Sequence, residues 1–222
     1  MSDHPDSHAG RTDFVRHNTQ VSTPPLVPEV KLHLASEFLP IWQMSEDALS
    51  ERGLPAPFWA FAWAGGQALA RHIIDRPERV RGRRVLDFGS GSGLVAIAAS
   101  LCGAAHVIAA DTDPFAIAAI ELKCELNGVT IEVEGSDLVD CELTGCDIVL
   151  AADICYEQPA AGRASDWLRG LARRGIDVLI GDPGRTYLPR DELERVATYA
   201  VETTTELEDC SLRHTGVWRF RP

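Results

Sequence analysis

From residue 84 onward, short apolar runs alternate with longer stretches in which apolar residues recur at helical spacing. The short runs predict strands at 84–88, 106–110, 130–134, 147–152 and 176–181. The longer stretches predict helices at 92–102, 114–127, 158–173 and 190–198. Two further strand-like runs, 199–209 and 214–220, are joined by a short polar turn. Because strands that alternate with helices form parallel sheets, the pattern predicts an α/β fold: a mostly parallel seven-stranded sheet with a terminal antiparallel hairpin and helices on both faces.

The amino-terminal segment has a different pattern. Residues 1–28 are polar and then proline-rich, which predicts a flexible tail before a single domain at 29–222. The 222 residues, 45% of them hydrophobic, are enough to bury one core. No run of about 18 apolar residues occurs, so no membrane helix is expected. The first 20 residues also lack the apolar core of a secretory signal, and a cytoplasmic protein is expected.

Six cysteines are scattered along the chain without a C-x-x-C pair. Structural zinc sites usually hold their ligands at such close spacing, so no metal is expected. Most of the cysteines lie in apolar or strand-like contexts, as reduced thiols do in cytoplasmic proteins.

The net charge of −12 is concentrated in the second half of the chain. Residues 1–110 hold 11 acidic and 10 basic side chains, whereas residues 111–222 hold 22 and 11. Nucleic-acid enzymes usually present a basic surface, so nucleic acid is not the expected partner. An arginine-rich run at 76–84 argues weakly for RNA, but a solvated loop explains it better. A basic protein surface suits the acidic half, although acidity that only aids solubility explains it equally well.

The most informative motif is the segment VLDFGSGSG at 85–93, which leads from a predicted strand into a predicted helix. Glycines let the backbone pass close under a ligand, and the helix that follows presents free N–H groups. Gly89, Ser90, Gly91 and Gly93 are therefore expected to bind a nucleotide-like cofactor. Counted from Gly91, the glycine spacing also fits a dinucleotide site, so the loop alone leaves NAD open.

The arrangement strand–Asp–x–Gly–x–Gly–x–Gly resembles motif I of the class I methyltransferases, which bind S-adenosylmethionine (SAM). The Rossmann-like sheet of these enzymes adds its last strand antiparallel, as the terminal hairpin predicts here. Typical NAD-binding domains have no such strand. SAM is therefore favoured over NAD as the cofactor.

Candidate cofactor residues follow the predicted strands, because ligands of open α/β sheets bind beyond the carboxyl ends of the strands. Asp87 either accepts a hydrogen bond from the cofactor's amino group or braces the glycine loop. Asp111 is placed to accept from the two ribose hydroxyls, whereas Asp113 is explained as the N-cap before Pro114. Asp137, in the turn after the third strand, is a candidate for contact with the adenine, but a plain turn explains it almost as well.

Two further segments are expected near the same edge of the sheet. Trp59 and Trp63 would share one face of a helix, for which core packing is the default explanation. The adjoining Gly-Gly-Gln at 65–67 favours a role for Trp63 at the cofactor instead. The segment Asp-Pro-Gly-Arg at 182–185 either shapes the rim of the pocket or forms only a tight turn.

Asp153 and Tyr156 follow the fourth strand, where the target of a class I enzyme usually meets the methyl group. Methyl transfer needs a neutral nucleophile, and a lysine amine, with a pKa of about 10.4, is charged at neutral pH. A carboxylate and a phenol at this place can orient the amine and help its proton to leave. Asp153 and Tyr156 are therefore the predicted catalytic residues, with a sheet-end turn as the alternative explanation of Asp153.

With these segments in place, residues 28–222 resemble the lysine methyltransferases of the electron-transfer flavoprotein β subunit, a group of seven-β-strand protein-lysine methyltransferases. The resemblance rests on the glycine loop and on FWAFAWAGGQALA (58–70), ADTDP (110–114), DICYE (153–157), LIGDPGR (179–185) and VWRFRP (217–222). It implies SAM-dependent methylation of lysines in that flavoprotein subunit. The SAM site that it implies consists of Trp63, Asp87, Gly89, Asp111 and Asp137. The residues that it implies beside the target lysine are Asp153 and Tyr156.

Two other functions remain open at this point. One is a methyltransferase that acts on a ribosomal protein or a small amine. The other is a non-catalytic nucleotide-binding module. A monomeric protein is expected.

Overall fold

The computed structural model describes residues 7–36, 55–203 and 212–221, and its central element is a sheet. The strands in these ranges are β1 (Gln20–Ser22), β2 (Leu32–Leu34), β3 (Arg84–Phe88), β4 (His106–Ala110), β5 (Glu132–Glu134), β6 (Ile148–Ala152), β7 (Asp177–Asp182), β8 (Leu193–Glu202) and β9 (Leu212–Phe220). Seven of these described strands form one sheet in the order β5-β4-β3-β6-β7-β9-β8, and β1 pairs separately with β2.

Neighbouring strands from β5 to β7 are parallel, whereas β9 is antiparallel to both β7 and β8. This pairing confirms the α/β class, the mostly parallel seven-stranded sheet and the terminal antiparallel hairpin. The turn predicted between the last two strands lies outside the described residues. The strand order reverses between β3 and β6, and such a reversal leaves a crevice at the carboxyl ends of the strands where ligands bind.

The helices in the described ranges are α1 (His8–His17), α2 (Ala64–Asp75), α3 (Leu94–Leu101), α4 (Pro114–Asn127) and α5 (Ala160–Arg173). The predicted start of α4 is confirmed, because the Asp113 carboxylate accepts a hydrogen bond from the Phe115 N–H at 2.8 Å and Pro114 occupies the first turn. None of these helices combines the length and the apolar character that crossing a bilayer requires.

The sheet buries an apolar layer on each of its faces. On one face, Val85 and Leu179 belong to a cluster with side chains of α2 and α3. On the other face, Leu86 packs with Trp167 and other residues of α5. Because adjacent residues of a strand point to opposite faces, a strand that is covered on both sides needs a continuous apolar run. The short apolar runs of the sequence are therefore the strands of the core.

One predicted helix, at 190–198, is wrong. Only Arg190–Glu192 form a 3₁₀ turn, and the extended strand β8 begins at Leu193. The segment holds good helix formers, but β8 pairs with β9 from Leu193 to Glu202. Hydrogen bonding to β9 thus overrides the local helical preference.

The amino-terminal segment also differs from its prediction. Helix α1 takes up much of it and packs on α4. Val15 is fully buried, and the Phe14 ring lies edge-on to Phe115, with 5.2 Å between the ring centroids. A few apolar side chains in a polar segment are thus enough to dock it on the domain. The structure therefore shows no flexible tail over residues 7–28, and the first six residues lie outside the described ranges.

Candidate active site

A cavity opens at the carboxyl ends of β3, β4 and β6, where the strand order reverses. Its volume of about 410 Å³ lies within the range of about 300–1,000 Å³ that is typical of small-molecule sites. The glycine loop forms one part of its wall, and the turns after β6 and β7 form another. Residues predicted to bind cofactor and residues predicted to face the target thus meet in one space.

The glycine loop has a backbone geometry that glycine adopts at little cost. Gly89, Gly91 and Gly93 have φ angles of 64°, 49° and 76°, in the left-handed region. Gly89 and Gly91 line the cavity, whereas Gly93 is the residue before the first turn of α3. The loop therefore brings bare backbone to the cavity wall at two places.

Asp87 lies beneath this loop rather than on the cavity wall. It is 1% exposed, and its Oδ2 accepts hydrogen bonds from Ser90 Oγ at 2.6 Å and from the Ala96 N–H at 3.0 Å. Burial raises the pKa of Asp87 to about 7, although both hydrogen bonds act in the opposite direction. Of the two roles predicted for Asp87, the geometry supports bracing of the loop.

Asp111 connects the glycine loop to the end of β4 and lines the cavity. Its Oδ2 accepts from the Gly91 N–H at 2.8 Å, and its Oδ1 accepts from the Asp113 N–H at 3.0 Å. Burial raises the pKa of Asp111 above its ordinary value, and hydrogen bonds from the backbone oppose that rise. The carboxylate is thus fixed by backbone donors at the place where the sequence predicts contact with a ribose.

Aromatic rings form a second side of the cavity, and we call Phe58, Trp63 and Tyr156 the aromatic wall. The centroid of the Phe58 ring lies 6.0 Å from that of Trp63 and 5.3 Å from that of Tyr156. Trp63 Nε1 also donates to the Phe58 carbonyl at 3.0 Å. Trp59 and Trp63 do not share a helix face, because Trp59 lies in a 3₁₀ turn, stacked on Phe115, and Trp63 precedes α2.

Asp153 follows β6 with a φ of 54°, a left-handed backbone that residues other than glycine seldom adopt. Its side chain is 10% exposed and lines the cavity. Oδ2 accepts from the Gly66 N–H at 2.8 Å, and Arg185 Nη2 donates to Oδ1 at 3.2 Å. Because Gly66 lies in the first turn of α2, the carboxylate also caps that helix. A turn-forming role alone does not explain this placement.

Helix α2 and strand β7 approach closely beside Asp153. A Cβ atom on Gly65 would overlap the carbonyl oxygen of Gly181, whereas a Cβ atom on Gly66 would meet nothing within 4 Å. Gly65 is therefore required by contact with β7. This close approach brings the Gly66 N–H to the Asp153 carboxylate.

The Gly-Asp-Pro-Gly-Arg segment forms both a turn and part of the cavity wall. The Asp182 carboxylate accepts from the Gly184 N–H at 2.6 Å and from the Arg185 N–H at 2.7 Å. The Arg185 guanidinium then reaches Asp153 and lies 5.9 Å from the centroid of the Trp63 ring. The segment therefore forms the tight turn and also contributes to the cavity wall, so a tight turn alone does not explain it.

Tyr156 stands at the rim of the cavity and is 48% exposed. Partial burial raises the pKa of its phenol, which therefore stays protonated at neutral pH. Cys155 is buried, and this burial raises the pKa of its thiol to about 12. A thiolate nucleophile is thus not available next to Asp153.

Asp137 and Arg163 lie on the cavity wall at the glycine-loop side. The Asp137 carboxylate accepts from the Val139 N–H at 3.0 Å, and its other oxygen is 3.6 Å from Arg163 Nη1. Arg163 also lies 3.4 Å from Asp140, and its side chain is 55% exposed. Asp137 thus forms a local turn and also faces the cavity.

The chain is similar to several known methyltransferases. A family model described as "Ribosomal protein L11 methyltransferase (PrmA)" matches residues 69–155. An electron transfer flavoprotein beta subunit lysine methyltransferase from Xenopus laevis is 36% identical over 215 residues, which cover 94% of this chain and 86% of the relative. The protein of the same name from Homo sapiens is 36% identical over 216 residues, which cover 94% and 81%. The chain belongs to the electron transfer flavoprotein beta subunit lysine methyltransferases.

Membership of these lysine methyltransferases confirms the predicted family and the prediction of an enzyme, and it removes the non-catalytic nucleotide-binding module as an alternative. A magnesium protoporphyrin IX methyltransferase from Synechocystis PCC 6803, solved with bound SAM, has a similar structure. The TM-score is 0.51 at 14% identity, and the match covers 71% of this chain and 80% of that one. At this identity the likeness concerns the fold alone, and it confirms the class I methyltransferase fold.

In this lysine methyltransferase, the cavity brings together most of the predicted site residues. Those that line it are Trp63, Gly89, Gly91, Asp111, Asp137, Asp153 and Tyr156. Three other predicted residues lie in the glycine loop or beneath it and do not line the cavity: Asp87, Ser90 and Gly93. Phe58 and Arg163 are among the lining residues that are absent from the prediction. Phe58 belongs to the aromatic segment that carries the family resemblance, whereas Arg163 has no local signal on α5.

Proposed function

We propose that the protein transfers methyl groups from SAM to lysine side chains of the electron-transfer flavoprotein β subunit. The observation that carries this proposal is the shared cavity, with the glycine loop and Asp111 on one side and Asp153 and Tyr156 on the other. Group transfer requires that donor and acceptor be held together in this way. The substrate is the one named for relatives that align with 94% of the chain.

The residues at the glycine-loop side fit SAM. Asp111 presents a carboxylate for ribose hydroxyls, Asp137 faces the region proposed for the adenine, and Gly89 and Gly91 let a ligand approach the backbone. When bound, SAM supplies an electrophilic methyl group on a positively charged sulfur. The Synechocystis enzyme of the same fold holds SAM, which supports this cofactor over NAD.

The residues at the other side fit a lysine amine. At pH 7.4, removal of the proton from an amine of pKa about 10.4 costs about 4 kcal/mol, so the site must favour the neutral form. Asp153 is held by the Gly66 N–H and by Arg185, and it can accept a hydrogen bond from the amine. The aromatic wall gives the aliphatic part of a lysine side chain an apolar surface to pack against.

We also propose a reducing, cytoplasmic compartment. Five cysteines in the described ranges are free thiols, and Cys141 is exposed. Exposed thiols persist where glutathione and thioredoxin keep them reduced.

The test is transfer of a radioactive methyl group from labelled SAM to the purified flavoprotein β subunit. We expect the wild type to label it and Asp153→Ala to lose about 100-fold in rate, because the target amine loses the hydrogen bond that orients it towards the methyl group. SAM binding, measured by calorimetry, should persist in this variant. Asp177→Ala is the control, since Asp177 lies at the opposite edge of the sheet. Absence of label on any purified flavoprotein would overturn the proposed substrate, and an unchanged rate in Asp153→Ala would overturn the role of Asp153.

A second candidate function is methylation of a ribosomal protein, because the L11 methyltransferase model matches residues 69–155. That range covers the glycine loop and the Asp153 turn but not the Asp182 turn or the terminal hairpin. Labelling of a whole cell extract separates the two functions, since a band at the mass of protein L11 and none at that of the flavoprotein subunit would favour the second candidate.

A further inference from the structure

Asp153 poses an electrostatic problem for the lysine methylation proposed above, on which this inference rests. A carboxylate next to an amine favours the protonated ammonium form, which has no lone pair. Only about one lysine amine in 10³ is neutral at pH 7.4 even without such a neighbour. An isolated Asp153 would therefore bind the substrate well in a form that does not react.

The structure places a permanent positive charge against this carboxylate. Arg185 Nη2 donates to Asp153 Oδ1 at 3.2 Å, and the two side chains are 23% and 10% exposed. The guanidinium also lies 5.9 Å from the centroid of the Trp63 ring, and all three side chains line the cavity. Because a guanidinium remains charged at every pH at which the protein is folded, the ion pair has no net charge.

The position of Arg185 is fixed by its backbone. The Asp182 carboxylate accepts from the N–H groups of Gly184 and Arg185, which closes the turn after β7. Asp182 itself is fully buried at the end of that strand. The backbone of Arg185 is thus anchored to a buried residue of the sheet. Its ion pair with Asp153 therefore differs from one between two mobile surface side chains.

We propose that Arg185 is a positioning residue that cancels the charge of Asp153, so that burial of the target lysine against the aromatic wall is enough to hold it as a neutral amine. Asp153 still orients the amine through a hydrogen bond. The proton leaves to bulk water before transfer. The nitrogen lone pair then forms the new bond to the methyl carbon while the carbon–sulfur bond breaks and its electron pair stays on sulfur.

Other charged or titratable groups face the same cavity, or pack directly beside it, from the loops after β4, β5 and β6, from the end of β7 and from α5. They are Asp111, Asp113, Asp137, Cys155, Tyr156, Arg163 and Asp182. The neighbouring first turn of α2 contributes the Gly66 N–H. All of these groups stay in place in the variants below, so they affect every pH profile equally.

The test is the pH profile of kcat, from about pH 6 to 10, with saturating flavoprotein substrate. In Arg185→Gln we expect the acidic limb to move up by about one pH unit, so that kcat at pH 7 falls about tenfold while the high-pH plateau is kept. Arg185→Lys, which keeps the charge, should stay near the wild type. The double variant Arg185→Gln with Asp153→Asn is neutral again, and its limb should return towards the wild-type position.

Arg190→Gln is the matched control, because Arg190 lies in the same loop, is exposed and contacts the Gly184 carbonyl outside the cavity. It should leave the limb in place. A fall of kcat by one factor at every pH in Arg185→Gln would mean a purely structural role and would overturn the proposal. The same holds if the double variant shifts as far as the single one.

A measurement on the wild type alone covers the case in which Arg185→Gln does not fold. Calorimetry of substrate binding to the complex with S-adenosylhomocysteine, in two buffers of different ionisation enthalpy, counts the protons released. At pH 8.5 we expect about one proton per lysine bound, and none would overturn the proposal. If the wild type methylates no lysine at all, the proposed function itself fails. If it does so and the profiles coincide, only the role of Arg185 fails.

Discussion

The two sides of the cavity hold negative charge in different ways. On the glycine-loop side, Asp87 and Asp111 accept hydrogen bonds from backbone N–H groups and, in the case of Asp87, from the Ser90 hydroxyl. On the target side, Asp153 pairs with the Arg185 guanidinium and caps α2. Both sides therefore use backbone N–H groups, and the target side adds the guanidinium of Arg185 to its carboxylate.

This difference follows from what each side is proposed to do. A site for a ligand of fixed shape needs a rigid loop, and buried carboxylates that bond to backbone N–H groups supply it. A site that receives a charged amine and has to remove its proton needs a positive charge that balances the charge of its carboxylate. We therefore expect substitution of the buried carboxylate on the glycine-loop side to change stability, and substitution of the charged pair on the target side to change the pH dependence of the reaction.

The largest effect is expected from Asp87→Asn on the pH dependence of stability. Burial raises the pKa of Asp87 to about 7 in the folded protein, against 3.8 for an ordinary carboxyl. Between these values the folded state keeps a proton that the unfolded state has lost, so the free energy of unfolding falls as the pH rises. The loss amounts to at most about 4 kcal/mol above pH 7 and is absent below about pH 4. The amide introduced by this substitution does not titrate, so urea unfolding of the variant should show a flatter dependence between pH 4 and 7.

Asp177→Asn is the control for this measurement. Asp177 lies at the opposite edge of the sheet, partly exposed and 3.1 Å from Arg83. Its replacement removes the same charge but should leave the slope between pH 4 and 7 close to that of the wild type. Equal slopes for Asp87→Asn and the wild type would contradict the buried, loop-bracing role of Asp87.

The next effect tests the rigidity of the target side. In Gly65→Ala the new methyl group would overlap the Gly181 carbonyl and press on Asp153, and neither backbone can move without separating α2 from β7. We expect a loss of about 3 kcal/mol in the free energy of unfolding.

Gly66→Ala is the matched control, since its methyl group meets no atom within 4 Å. Alanine favours a helix over glycine, so this variant should be unchanged or more stable by up to about 1 kcal/mol. Urea unfolding measures both variants. Similar unfolding midpoints would mean that α2 and β7 are not held in contact as described.

Much of the fold could be predicted because its signals are local. Buried parallel strands are continuous apolar runs. The start of α4 is indicated by two adjacent residues, Asp113 as the N-cap and Pro114 in the first turn. The start of strand β8 at Leu193 could not be predicted, because it is fixed by pairing with β9, in which Leu193 lies opposite Phe220. Helix α1 could not be predicted for a similar reason, since the apolar surface of α4 that contacts Val15 and Phe14 is formed only in the folded protein.

In the candidate site, too, some residues could be predicted from the sequence and others could not. Asp111 and Asp153 could be predicted because parallel strands end at one edge of the sheet, and a residue after a strand is placed by that rule alone. Arg163 could not be predicted, because its position depends on how α5 packs on the sheet. Asp87 was placed at the correct strand end, but only its hydrogen bonds show that it faces the loop.

The smallest effect is expected from Arg163→Gln, which compares two arginines of one cavity. Arg163 lies 3.6 Å and 3.4 Å from its carboxylate partners, and its side chain is 55% exposed. Exposed ion pairs contribute about 0–1 kcal/mol, so SAM affinity, measured by calorimetry, should fall less than about fivefold, and less still at high salt. The kcat profile should not move along the pH axis, in contrast to Arg185→Gln. A tenfold loss of affinity would instead show that charge matters as much on the glycine-loop side as on the target side, and the distinction between the two sides would then fail.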